Sequence, residues 1–141
     1  MEQNQIRDVL KKCRTIAVVG LSKEPEKDSH RVSVYLQQHG YRIIPVNPFA
    51  DRVLGEKSYS SLLDIEVELQ KTIDIVDIFR KPENVPSIVD QAIAVKARTG
   101  RSFVVWMQLG IVNEHAAEAA RKAGLIVFMD MCLMVEHHRL M

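Results

Sequence analysis

The sequence predicts an α/β fold: a single doubly wound domain on a five-stranded parallel sheet. Three observations carry this reading. Five short runs rich in Val, Ile and Phe recur along the chain, helical patterns lie between them, and polar and basic residues collect where the runs end. Parallel strands read as unbroken apolar runs because helices cover both faces of their sheet.

A helical pattern over 4–13 leads into the first strand, "TIAVVG" (15–20), which ends at Gly20. Asp28 or Ser29 is the expected N-cap of the next helix, with Val32, Tyr35, Leu36 and His39 on one face and Gly40 as its stop. "RIIPV" (42–46) is the second strand, and 59–70 reads as a further helix. "IDIVDIF" (73–79) is the third strand. Pro82 then starts a helix whose Val85, Ile88, Val89 and Ala92 recur at helical spacing, ending at Gly100. "SFVVWM" (102–107) is the fourth strand, and Asn113 caps an alanine-rich helix that stops at Gly124. "LIVFMD" (125–130) is the fifth, with a last helix over 131–139. Right-handed crossovers give an expected order of 3-2-1-4-5, which sets the first and fourth strands side by side. A ligand then binds beyond the strands' carboxyl ends, where the order reverses.

At 141 residues the chain suits one domain over 1–141, with a core of its own. Its 19 basic and 18 acidic residues leave a net charge of +1, too balanced for general attraction to nucleic acid or membrane. Any basic site is therefore local. No window reaches the ~20 apolar residues of a membrane span, and the polar start "MEQNQIRDVLKKC" has no signal-peptide core. Cys13 and Cys132 form no close motif, so a reducing cytoplasm is the expected compartment. No His or Cys spacing marks a metal site.

The strand ends carry the chemistry. Gly20 permits a turn straight off the first strand, and the helix after it offers free N–H groups and a positive dipole end to a phosphate. Ser22 adds a hydroxyl, while Lys23, Lys27 and Arg31 fall four apart. Against this, Glu24, Glu26 and Asp28 cancel the loop's formal charge, and a glycine after a strand can simply make a turn. The second strand discriminates better. An NAD site wants Asp or Glu near its end to bind the adenosine ribose, and here stand Val46, Asn47 and Pro48. With only one glycine in the first loop, ordinary NAD binding is disfavoured. An adenine ligand with a phosphorylated ribose fits a basic rim better, which leaves NADP open beside other phosphorylated nucleotides. Arg80 offers a planar fork for phosphate and Lys81 a mobile charge, unless the pair merely begins a helix. Trp106 reads either as core or as a stacking surface, and Gln108 before Gly110 is harder to explain by packing. No acid–base set converges, so a binding module is expected rather than an enzyme. Cys132, at the start of the expected last helix, is a candidate for thiol chemistry or a structural thiol.

Assembled, these residues resemble the small stand-alone CoA-binding proteins, whose Rossmann-like fold is similar to the CoA-binding domain of the succinyl-CoA synthetase alpha subunit. The resemblance runs from about residue 5 to 140. It rests on Gly20-Leu21-Ser22 with Pro25, Lys27, Ser29 and Val32; on Val46-Asn47-Pro48; on Asp77-Ile78-Phe79-Arg80; on Trp106-x-Gln108-x-Gly110; and on Asp130-x-Cys132 with Glu136-His137. Met131 departs from the basic residue usual between that Asp and Cys. The resemblance implies coenzyme A or an acyl-CoA as the small-molecule partner, lying across the strand ends. Gly20, Ser22, Lys23 and Lys27 would meet its phosphates, Val46, Asn47 and Pro48 its adenosine, and Phe79 and Arg80 the ligand further along. In succinyl-CoA synthetase a phosphohistidine and further domains perform the chemistry, and nothing in this sequence clearly replaces them. The competing functions are an NAD(P)-dependent enzyme and a mixed disulfide formed at Cys132.

Overall fold

A computed structural model of the chain describes residues 2–141. Five parallel strands form the sheet: β1 (Thr15–Val19), β2 (Arg42–Val46), β5 (Ile75–Ile78), β6 (Val104–Met107) and β7 (Ile126–Phe128). Side chains alternate between its faces, as the strand period requires. Ala17, Val19, Val76, Ile78, Val105 and Met107 turn toward α4 (Val85–Thr99) and α5 (Glu114–Lys122). Ile16, Val18, Ile75, Val104 and Trp106 turn toward α1 (Glu2–Lys12), α2 (Asp28–Gln38) and α6 (Leu133–Leu140). Each fully buried Val, Leu or Ile in these two layers contributes ~1.5–3 kcal/mol. The doubly wound α/β fold is the one the sequence predicts.

Local chemistry sets most boundaries where expected. Asn113 caps α5 by accepting a hydrogen bond from Ala116 N, and Gly100 ends α4 in the left-handed conformation at φ 72°. The N-cap of α2 differs. It is Lys27, without a side-chain cap, while Asp28 is already helical and Ser29 Oγ turns back to accept from Ser22 N at 2.9 Å. The first-turn N–H groups of α2 are thereby left without a side-chain cap.

The expected order 3-2-1-4-5 does not form. β5, the third main strand, pairs with β1 on one side and β6 on the other, so the five strands run 2-1-3-4-5. The cause lies at the outer edge of β2. Tyr59 N donates to Pro45 O and Tyr59 O accepts from Asn47 N, at 3.1 and 2.8 Å, so that edge is taken. The chain between β2 and β5 then crosses β1 on the α4 side, where Tyr59, Leu62 and Ile65 are buried. This stretch is also not the helix expected over 59–70. Ser61 Oγ caps a single 3-10 turn, Leu62–Asp64, and Ile65 and Glu66 are extended before the one-turn α3 (Val67–Gln70). A small hairpin precedes it: β3 (Arg52–Val53) and β4 (Glu56–Lys57) turn through Leu54 and Gly55, both at positive φ, as a two-residue hairpin of the primed type requires.

Candidate functional site

The observed order reverses between β1 and β5, so the crevice opens where Gly20 meets Phe79 and Arg80 rather than where the first strand would meet the fourth. Phe79 N donates to Val19 O at 2.8 Å, and Gly20 N donates to Val46 O at 2.9 Å. These bonds hold the ends of β1, β2 and β5 together. Gly20 has φ 90°, and a Cβ there would sit 2.3 Å from Phe79 O and 2.9 Å from Arg80 Cδ. Only glycine fits this crossing.

The loop after Gly20 spends much of its polarity on itself. Ser22 Oγ accepts from Glu24 N at 3.0 Å, Ser22 O meets His30 Nδ1 at 2.8 Å, and Asn47 Nδ2 donates to Leu21 O at 2.9 Å. Asn47 Oδ1 also accepts from Phe49 N. Ser22, Ser29 and Asn47 therefore shape the loop, and Leu21 anchors it as a fully buried side chain. Lys23 and Lys27 are exposed.

Two cavities flank Arg80. A cleft of about 540 Å³ is lined by Val32, Phe79, Arg80, Lys81, Gln108 and Cys132, among others. A pocket of about 110 Å³ joins Val46 and Pro48 to Arg80 and to the polar groups Ser60, Ser61, Asn84, Ser87 and Gln91. Arg80 lines both, is half-buried, and has no carboxylate within ion-pairing distance among the described residues. Arg31, whose spacing from Lys23 and Lys27 was the available signal, lines the cleft but is paired with Asp28 on its own helix. Ser60 and Ser61 of the small pocket lie on the irregular 59–65 stretch, and a helix reading of that segment hides them; Ser87 comes from α4.

Other expected residues sit outside both cavities. Trp106 is 0 % exposed, packs on Phe128 at 5.2 Å between ring centroids, and donates from Nε1 to Met131 O at 2.8 Å. It is core. Gly110 N donates to Asp130 Oδ1 at 2.7 Å, tying the loop after β6 to the end of β7. The Glu136–His137 pair is likewise structural: Glu136 holds Arg139, and His137 Nδ1 meets Tyr35 OH at 2.8 Å.

Under the cleft lies a residue that the motif Asp77-Ile78-Phe79-Arg80 contains but to which the sequence reading gave no role. Asp77, on β5, is wholly buried; Gln108 Nε2 donates to its Oδ1 at 2.8 Å, and Oδ2 has no partner. Burial pushes its carboxyl up to about 7, with the Gln108 bond pulling the other way. Cys132, free and half-buried, stands at the N-cap of α6 in the cleft wall, whereas Cys13 is buried and its thiol is pushed up to about 12 by desolvation and then by Asp74. No group of metal-ligating side chains occurs among the described residues, and no helix among them is long and apolar enough to cross a membrane.

Fold and rim together define a Rossmann-like domain with an anion-ready crevice at its switch point. Residues 14–138 match the CoA binding domain family, and the chain belongs to that family. It is 41% identical over 133 residues to the protein YneT of Bacillus subtilis, covering 94% of this chain and 92% of that one. It is 30% identical over 118 residues to an ADP-forming acetate–CoA ligase of Archaeoglobus fulgidus, spanning 82% of this chain but 18% of the ligase. Among solved structures, protein ID.343 from Thermus thermophilus superposes with a TM-score of 0.88 at 38% identity over 100% of both chains. A protein from Pyrococcus horikoshii OT3 gives 0.87 at 41% identity, over 99% of this chain and 92% of that one.

Proposed function

We propose that the protein binds coenzyme A or an acyl-CoA and serves as a carrier or sensor of it, with no reaction of its own. The observation that carries this reading is the position of Arg80, without an ion-pair partner among the described residues, between a roomy cleft and a small polar pocket. An elongated ligand with anionic groups in its middle matches that layout. Coenzyme A has a nucleotide at one end, phosphates in the middle and a long arm ending in a thiol. The uncapped N-terminus of α2 adds a positive dipole end beside the same rim. Family membership supports the choice of coenzyme A among phosphorylated nucleotides.

Thermal denaturation in parallel with CoA, NADP and NAD tests the reading. CoA should raise the midpoint clearly and the dinucleotides little, since ligand that binds only the folded state stabilises it by mass action. A large shift with NADP alone would assign the crevice to a dinucleotide instead.

A further inference from the structure

We propose that Asp77 is a positioning residue that turns the carboxamide of Gln108 so that its carbonyl oxygen faces the cleft and accepts a hydrogen bond from an amide of the ligand's arm. This inference rests on the CoA reading and adds which part of the ligand the cleft recognises. The two side chains meet on the sheet face that carries α2 and α6. Asp77 lies in register with Val18 and Trp106, and Gln108 follows β6 directly. Gln108 is 3% exposed, and its backbone N donates to Ile78 O at 3.3 Å, so its Cα is tied to the end of β5. With one Nε2 N–H held on Asp77 Oδ1, the carboxamide's orientation is set, and Oε1 is its acceptor left to meet a ligand. That atom receives no protein donor among the described residues, yet it is not among the fully enclosed unpartnered atoms. Gln108 is part of the cleft wall, and Asp77 lines neither cavity.

A buried carboxyl kept beneath a ligand cleft without a cation costs folding energy, and a structural role would be met more cheaply by an apolar side chain. What Asp77 supplies is direction. A carboxamide can present either its N–H₂ or its C=O, and an acceptor behind it settles which. The arm of coenzyme A carries two amide N–H donors suited to a carbonyl.

The test compares CoA with adenosine 3',5'-bisphosphate, which lacks the arm, by calorimetric titration of the wild type, Asp77→Asn, Asp77→Val and Gln108→Met. Wild type should bind CoA more tightly than the bisphosphate. Asp77→Asn retains an acceptor oxygen and should keep that preference. Asp77→Val and Gln108→Met should each weaken CoA about tenfold and leave the bisphosphate unchanged, a split that a general loss of structure would not produce. An Asp77→Val protein with the wild-type preference overturns the positioning role. Should that variant fail to fold, an unaltered preference in Gln108→Met overturns it equally. Binding of neither compound by the wild type instead overturns the CoA reading on which the inference rests.

Discussion

Asp77 is a carboxyl group with no cation paired to it among the described residues, and this has a measurable consequence for stability. Its ordinary value of 3.8 applies to the unfolded chain, and about 7 applies to the folded one. Between those values the folded state holds a proton that the unfolded state has released, so stability falls as pH rises through that window and levels off above it. A shift of this size corresponds to roughly 4 kcal/mol. Urea denaturation of the wild type should show this decline between about pH 4 and 7, and Asp77→Asn should lack it. Parallel profiles for the two proteins would contradict the assignment. The cysteines give a second residue-scale prediction. Buried Cys13, with its thiol pushed up to about 12, should resist iodoacetamide at pH 8, while half-buried Cys132 should be alkylated. Bound CoA should slow that labelling; equal labelling of both thiols, read by mass spectrometry, would contradict the burial described.

The crossing of β1 and β5 depends on an element boundary one residue wide. A side chain at Gly20 would meet Phe79 O and Arg80 Cδ, and its φ of 90° is strained for any other residue. Gly20→Ala should lower Tm by at least about 5 °C and impair CoA binding. A variant with wild-type Tm would show that the strands can separate at no cost. The same scale explains what the chain does and does not reveal in advance. The apolar runs at 15–20, 42–46 and 102–107 announce buried strands, and Gly100, Asn113 and Gly124 mark helix ends by chemistry that acts within a few residues. The segment 59–70 does not yield to that logic. Its apolar spacing serves Tyr59, Leu62 and Ile65, which are buried one by one from an extended path, so the pattern imitates a helix that tertiary packing never forms.

At the scale of the whole molecule the strand order decides where the ligand site lies. Occupation of the β2 edge by Tyr59 is a long-range event with no local signature, and it moves the third strand from the rim of the sheet to its middle. The expected motifs remain at the carboxyl ends, but Phe79 and Arg80 rather than Trp106 become the neighbours of the Gly20 loop. Arg80 was legible as a candidate because a guanidinium at a strand end has few structural uses. Trp106 was ambiguous because a strand tryptophan serves the core equally well. The small polar pocket stayed hidden, since Ser60 and Ser61 are brought to Arg80 only by the irregular crossover.

The central claim is that Arg80 and the switch-point crevice hold coenzyme A. Isothermal titration of ligand-free protein with CoA, run beside Arg80→Glu, tests it most directly. The wild type should saturate at one equivalent, and the charge reversal should weaken binding by about 10- to 100-fold, the equivalent of ~1.5–3 kcal/mol for a charge-assisted hydrogen bond. A folded wild type that shows no heat of binding at millimolar CoA, or an Arg80→Glu protein that binds as well as the wild type, would contradict the account.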